Sequence, residues 1–181
     1  MSLTEAIASS SLLEVARSYI AKDLSVIPIR ADGSKAPALK KGQVEQYRER
    51  FATEAELEEW FAPHKAVGIA IVCGKISGNL AVLDFEQDTV WESWIRRATD
   101  RGMAAIFETF PLVRTPRGGR HLYYRILEGH ACGGKLAMRS KAETLLEIRG
   151  QGHYVLAPGC PPACHETHRQ YTFEKAGWLC G

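Results

Sequence analysis

Three short segments of this sequence each place a pair of polar side chains two positions apart, and this pattern constrains the fold more than any other feature. The segments span residues 80–86, 120–126 and 145–149. Residues i and i+2 of a β-strand point to the same face of a sheet, so each polar pair shares one face and the intervening apolar residues turn to the other. The pattern predicts three half-buried strands, each with one polar face.

The first of these pairs is acidic. Asp84 and Glu86 close a segment that begins with the apolar run Leu80-Ala81-Val82-Leu83. Two carboxylates side by side at a strand end repel each other, and a divalent cation relieves that repulsion because Mg²⁺ and Mn²⁺ prefer carboxylate oxygens. The pair therefore predicts one half of a metal site.

The other two pairs add the groups that a phosphate site needs. His121 and Tyr123 share a face of the second segment, and Glu147 and Arg149 share a face of the third. If the three faces meet, the acids would hold one or two cations, while His121 and Arg149 would neutralise phosphate charge. Tyr123 would then be able to stack on a base or pack at the core edge. The alternative is an ordinary solvated sheet face.

The N-terminal part of the chain predicts a helix, a strand and a second helix. Residues 10–22 have helical spacing of apolar side chains, and residues 24–29 are typical of a strand. Residues 30–42 form a loop rich in Gly, Pro and Lys. Thr53 and Glu56 make a capping box, which predicts the start of a short helix.

The rest of the chain mixes helices with strands. Residues 67–72 predict a strand, and Asp88 is expected to cap a helix that runs to about Arg101. Residues 153–157 are predicted to pair with residues 145–149 in a hairpin. Helices that interrupt a sheet made largely of hairpins favour an α+β fold over a doubly wound parallel sheet.

Composition sets only broad limits. The chain has 181 residues, 45% hydrophobic and 24% charged, with a net charge of +2, which predicts one globular domain and neither demands nor excludes a nucleic-acid partner. Its apolar runs are too short to span a membrane. Five cysteines without an evident secretory signal favour reduced thiols in a cytoplasm.

Three motifs, taken in order, identify a family resemblance. They are Leu83-Asp84-Phe85-Glu86, then Thr115-Pro116-Arg117-Gly118-Gly119-Arg120-His121-Leu122-Tyr123-Tyr124, then Leu146-Glu147-Ile148-Arg149-Gly150-Gln151-Gly152-His153-Tyr154-Val155-Leu156-Ala157-Pro158-Gly159. The ordered set resembles the bifunctional DNA primase/polymerase (prim-pol) domain of the archaeo-eukaryotic primase superfamily. The N-terminal helix, the following strand and the loop Lys35-Ala36-Pro37 agree, so the resemblance covers roughly residues 11–173.

The resemblance implies an architecture and an activity. The expected fold is an RRM-like, mostly antiparallel sheet backed by helices with an N-terminal α/β lobe, as one catalytic domain over residues 1–181. The implied activity is template-directed nucleotidyl transfer with Mg²⁺ or Mn²⁺, acting on single-stranded or primed DNA and nucleoside triphosphates, with primer initiation as an additional expectation. Family members are often the N-terminal part of a larger replication protein, so a fused or associated helicase and a prokaryotic, phage or plasmid setting are expected.

The resemblance also assigns site residues. Asp84, Glu86 and Glu147 would bind the catalytic metal, and His121 would contact the phosphates of the incoming nucleotide. The third acid is commonly Asp in this family, so Glu147 has a longer reach. Further phosphate or template contacts are expected at Lys35, Thr115, Arg117, Gly119, Arg120 and Arg149, with Gly119 acting through its backbone N–H.

Two other functions and one other metal site are weighed against this assignment. A nucleic-acid-binding replication module without catalysis, or a metal-dependent nuclease, would also use clustered acids. Cys160, Cys164 and His168 form a possible zinc segment, for which His130, Cys132 or Cys180 would supply the fourth ligand. Their spacing is looser than the two tight ligand pairs of most zinc sites, which favours a surface loop with incidental cysteines.

Overall fold

The computed structural model of the protein describes residues 11–179. In this range the chain forms four α-helices and nine β-strands. The helices are α1 (Leu12–Ile20), α2 (Glu54–Trp60), α3 (Asp88–Asp100) and α4 (Ala104–Glu108). The strands are β1 (Val26–Arg30), β2 (Val67–Val72), β3 (Leu80–Phe85), β4 (Leu112–Arg114), β5 (Arg120–Arg125), β6 (Gly134–Ser140), β7 (Glu143–Arg149), β8 (Tyr154–Leu156) and β9 (Thr172–Lys175). No helix in this range is long and apolar enough to cross a membrane.

Capping boxes begin both N-terminal helices. The hydroxyl of Ser11 accepts the backbone N–H of Glu14 at the start of α1, and Thr53 does the same for Glu56 at the start of α2. In each box the glutamate side chain accepts the N–H of the capping residue, so two backbone donors that the helix cannot satisfy are paired. The predicted α2 is confirmed. The predicted helix over residues 10–22 corresponds to α1, and residue 10 lies outside the described residues.

A small antiparallel sheet lies beside these helices, with its strands in the order β1-β2-β8. The apolar side chains of α1, α2 and all three strands share one core with part of the larger sheet. Burial of these side chains is the main favourable term that holds the helices on the sheet. Cys73, which follows β2, is fully buried in the same core.

The second sheet has six strands in the order β6-β7-β3-β5-β4-β9, and every pairing in it is antiparallel. Two antiparallel sheets with four helices confirm the predicted α+β fold. The three strands that carry the polar pairs are β3, β5 and β7. They are direct neighbours, with β3 in the middle.

The two faces of the six-stranded sheet pack against different partners. Phe85, on the back face, lies edge-on to Trp91 and Trp94 of α3 with ring centroids 5.2 Å apart in both pairs. Phe107 of α4 extends this aromatic cluster. On the front face, Val82 belongs to the core shared with the small sheet. Apolar cover on both sides leaves only the end of β3 open for polar side chains.

The predicted hairpin between residues 145–149 and 153–157 is wrong. β7 pairs with β3 and β6 in the large sheet, whereas β8 pairs with β2 in the small one. The turn between them carries the chain from one sheet to the other. Gly150 allows this passage, because a Cβ there would overlap the carbonyl oxygen of Ala131. The residues of the turn itself give no indication that the two strands it joins belong to different sheets.

The start of α3 also differs from the prediction. Gln87 is the capping residue and its side chain makes no capping bond. Asp88 is instead the first helical residue, and its carboxylate pairs with Arg114 and Arg120 at 3.5 and 2.9 Å. An acid in the first turn still interacts favourably with the helix dipole, so the aspartate both anchors α3 to the sheet and stabilises its N-terminus.

We predict that Gly119→Ala destabilises the fold while Gly134→Ala does not. A Cβ on Gly119 would overlap the Phe85 carbonyl oxygen and lie 2.9 Å from the carbonyl carbon of Glu86, both of them backbone atoms. Such overpacking costs about 1–3 kcal/mol of unfolding free energy. Gly134 has open space around the corresponding position. Urea denaturation of both variants measures the difference, and equal midpoints would contradict the close approach of the two segments.

Candidate functional site

The register of the large sheet brings the three polar pairs together. Asp84 on β3 lies directly across from His121 on β5 and from Glu147 on β7. Directly opposed residues of antiparallel strands point to the same face. An acid, a histidine and a second acid therefore form one row across three strands, and Glu86 follows immediately after β3 on the same side.

The acids of this row form a compact carboxylate cluster. One oxygen from each of Asp84, Glu86 and Glu147 lies within 4.8 Å of the other two, and it is the only group of metal-ligating residues of this kind within residues 11–179. Three oxygens at this spacing suit a hard divalent cation such as Mg²⁺ or Mn²⁺, which takes carboxylate ligands. The donor set thus fits the metal that the sequence motifs imply.

An arginine and a histidine contact the cluster. Arg149 donates a hydrogen bond from Nε to Asp84 Oδ2 at 3.2 Å, and its Nη2 lies 3.2 Å from the same oxygen and also pairs with Glu147. His121 Nε2 lies 3.4 Å from Asp84 Oδ1. Arg149 therefore bridges two of the three acids, and Glu86 is the acid that neither of these side chains contacts.

This unequal pairing separates the pKa values of neighbouring acids. Burial acts to raise the pKa of Asp84, but His121 and Arg149 outweigh it and lower that pKa to about 2. Burial, together with repulsion by Asp84 and Glu147, raises the pKa of Glu86. Neighbouring carboxylates whose pKa values differ in this way are typical of functional sites. Of the two acids, Glu86 would be stabilised more by a bound cation.

A cleft of about 330 Å³ opens beside the cluster, between the end of the large sheet and the small sheet. Lys35 lies in this cleft on the loop after β1, with its backbone in the left-handed region at φ 60°. Burial and the neighbouring Arg117 lower the pKa of Lys35. The cleft lining includes Ser34, Lys35, Asp84, Glu86, Thr115, Arg117, His121, Arg149, His153, His165 and Tyr171.

A second, wider groove of about 900 Å³ lies on the other side of the acids. Glu86 and Arg117 border both depressions, whereas Glu147 faces only this groove. Lys135 and Arg169 give its walls positive charge. The carboxylate cluster is therefore a ridge between two depressions, each of which has basic side chains.

One residue that the sequence assigned to phosphate lies elsewhere. Arg120 is on the helix-covered face, because it alternates with His121, and its guanidinium pairs with Asp88 and Glu174. Its side chain is 8% exposed, so we correct the assignment to a structural ion pair. Gly119 packs against the end of β3 beside Glu86, which explains the missing side chain, and a phosphate contact through its backbone N–H stays a prediction.

Tyr123 is on the predicted face but not in the cleft. It is completely buried in the shared core, so of the two alternatives packing in the core is confirmed and stacking on a base is wrong. Alternation along β5 correctly gave its face, but the small sheet covers that part of the face. The tryptophans Trp60, Trp91 and Trp94 also lie in apolar clusters and not in the cleft.

The possible zinc ligands do not assemble in the described part of the chain. Cys160 and Cys164 are buried side by side, and a Cβ on Gly68 would overlap both Sγ atoms. His168 is exposed, and within residues 11–179 no third ligand joins the two cysteines. Cys180 lies outside this range. The two thiols pack on the glycine of β2 rather than on the surface, which corrects the expectation of a surface loop.

Sequence reasoning missed several residues that line the cleft, among them Ser34, His153, His165 and Tyr171. They lie in or beside loops, where no alternation shows which way a side chain points. Ser34 and His165 are joined by an isolated β-bridge between two loops far apart in sequence. No local signal predicts such a bridge, and only the pairing of the two loops brings these residues to the site.

Comparison with known protein families gives a match over most of the chain. A family model for the N-terminal domain of bifunctional DNA primase/polymerases matches residues 16–179, which is nearly the whole chain. No curated protein matches the sequence significantly. The match includes both sheets and every residue of the acid cluster. This chain therefore belongs to the Prim-Pol family of bifunctional DNA primase/polymerase N-terminal domains.

Proposed function

We propose that this chain is a catalytic prim-pol domain that extends a DNA primer by template-directed, divalent-metal-dependent nucleotidyl transfer. The observation that carries the proposal is the row of Asp84, His121 and Glu147 across three strands, with Glu86 beside it at the mouth of a basic cleft. The family supplies the reaction class, and the site supplies the groups that this reaction needs.

Asp84, Glu86 and Glu147 would hold the metal. When bound, Mg²⁺ or Mn²⁺ neutralises charge on the phosphates and favours loss of the primer hydroxyl proton. The side chains of this protein would position the substrate. Arg149 and His121 would bind phosphate oxygens, since a guanidinium forms paired bonds to a phosphate. Arg149 bridges Asp84 and Glu147 in the metal-free structure, and its guanidinium would be available to the substrate when those acids hold the metal.

The cleft wall opposite the acids would bind the rest of the triphosphate. Lys35 lies there beside Arg117, and Thr115 adds a hydroxyl. Arg117 is paired with Glu166, an exposed contact that a phosphate can replace at little cost. In the reaction, the primer 3′-hydroxyl attacks the α-phosphate, a P–O bond forms, and pyrophosphate leaves towards this wall.

The wider groove on the far side of the ridge would hold DNA. Lys135, Arg117 and Arg169 line it, and lysine and arginine contacts to backbone phosphates carry most of the affinity of such interfaces. Primer initiation and an associated helicase remain proposals that rest on the family alone.

We expect the double variant Asp84→Asn/Glu86→Gln to lose primer extension by at least about a thousandfold, because a metal that stabilises transition-state charge contributes several kcal/mol. Extension of a labelled primer on single-stranded template with Mn²⁺ measures the loss, and circular dichroism checks the fold. The control is Glu58→Gln/Glu59→Gln on α2, where both carboxylates are exposed.

The same assay separates the two alternatives. A nuclease would shorten the primer when nucleotides are left out. A binding module would neither shorten the primer nor extend it. Wild-type protein that binds DNA but does not extend it, or a double variant that extends normally, would contradict the proposal.

We also predict that Glu86→Gln stabilises the metal-free protein at neutral pH. Burial and two neighbouring carboxylates raise the pKa of Glu86, so its ionisation opposes folding. The destabilisation is absent below the ordinary pKa of 4.5 and reaches its full size above the raised pKa. The melting temperature of the variant should therefore match wild type at pH 4 and exceed it at pH 7.

The metal reverses the order of stabilities. Saturating Mn²⁺ should raise the melting temperature of wild type at pH 7 and have little effect on Glu86→Gln, because ligand binding stabilises only the state that binds it. If Mn²⁺ stabilised both proteins equally, Glu86 would not be a ligand.

A further inference from the structure

We propose that His165 is an additional substrate-binding residue whose Nε2–H donates a hydrogen bond to a phosphate oxygen of the bound nucleotide, beyond the phosphate at the acids. The inference rests on the proposed function, and it concerns a residue to which neither the sequence motifs nor the family match assigns a role. It follows from the burial of His165, from its tautomer and from its charged neighbours.

His165 is held firmly at the cleft wall. His165 is only 2% exposed, although the segment that follows it, residues 166–170, is exposed throughout. The isolated bridge to Ser34 ties this loop to the loop that carries Lys35. The ring also packs edge-on to Tyr171, with centroids 6.1 Å apart. The His165 ring is therefore fixed in one orientation, and it still lines the cleft.

Hydrogen bonding sets the tautomer of this ring. Nδ1 accepts the backbone N–H of Thr167 at 3.1 Å and lies 2.9 Å from the hydroxyl of the same residue. A nitrogen that accepts an N–H cannot carry a proton, so the proton of the neutral ring is on Nε2. Among the described residues Nε2 has no hydrogen-bond partner. His165 therefore offers one oriented donor that the protein itself leaves unused.

The charged side chains near His165 Nε2–H favour an anionic ligand. Burial and the cation of Lys35 lower the pKa of His165, which keeps the ring neutral. Arg117 adds a second positive charge, and Glu166 is the nearby acid, already paired with Arg117. Two cations and a neutral donor at one wall match a phosphate group, whose oxygens accept from all three.

The position of Tyr171 indicates which phosphate is bound. Its ring lies between His121 and His165, with centroids 5.6 Å from the first and 6.1 Å from the second. His121 is at the acids, where the α-phosphate must react. A triphosphate that starts at His121 and passes Tyr171 would bring its β- or γ-phosphate to His165. A phosphate of the DNA backbone has the same chemistry, so the test must separate the two sources.

The matched variants are His165→Asn and His165→Gln. The Asn side-chain oxygen takes the place of Nδ1 and still accepts the N–H of Thr167, but the variant has no donor at the Nε2 position. The Gln amide nitrogen reaches the Nε2 position and restores a donor. Equilibrium dissociation constants are measured by calorimetry with Mn²⁺ for a nucleoside triphosphate, the matching monophosphate and single-stranded DNA.

We expect His165→Asn to bind the triphosphate about tenfold more weakly, which is the usual loss for a hydrogen bond to a charged group. Monophosphate and DNA affinities should be unchanged, and Gln should recover part of the loss. In primer extension the Asn variant should raise KM and leave kcat nearly unaltered. Unchanged triphosphate affinity, or a loss confined to DNA, would overturn the inference.

A measurement on the wild-type protein protects the test against a variant that fails to fold. Long-range ¹H–¹⁵N NMR should show the neutral Nε2–H tautomer of His165, and triphosphate should shift the Nε2 resonance where monophosphate does not. A resonance that triphosphate leaves in place would overturn the inference even if the wild-type protein extends primers. Wild-type protein that binds no triphosphate would overturn the proposed function as well.

Discussion

The structure depends on the register that sets Asp84 between His121 and Glu147. Hydrogen bonds along β3 hold this register on both sides, and a shift by one residue would turn every side chain of the strand to the opposite face. Asp84 and Glu86 would then enter the aromatic cluster against α3, and Phe85 would face the cleft. The stability of the core and the geometry of the acids therefore have one physical origin.

The electrostatics of the site follow from the same arrangement. Partial burial makes each carboxylate costly unless a positive charge is near. Arg149 meets that need for Asp84 and Glu147, and the pKa of Glu86 is raised because this side chain is half-buried and its nearest charges are the other two acids. The metal-free site is thus held together by its own arginine and one acid remains uncompensated. A site of this kind favours the binding of a cation.

Sequence patterns located the central strands well because alternation is a local property. The pairs at residues 84 and 86, 121 and 123, and 147 and 149 all come to the face that was predicted. Alternation also correctly separated Arg120 from His121, although the family motif had suggested that both contact phosphate. The pattern could not show that the small sheet covers Tyr123, nor that β8 leaves β7 to pair with β2. Both outcomes depend on contacts between segments that are far apart in sequence.

By itself the sequence determined which residues alternate on each strand, the start of a helix at Thr53, and the family to which the ordered motifs belong. These are properties of residues close together in sequence, because the backbone periodicity of a strand or a helix fixes which way each side chain points. Only the tertiary structure decided that three strands meet in the order β7-β3-β5, and that loops far from β3 bring Lys35 and His165 to the opposite wall. The reason is physical. A loop side chain has no periodic direction, so packing between distant segments alone fixes where it points.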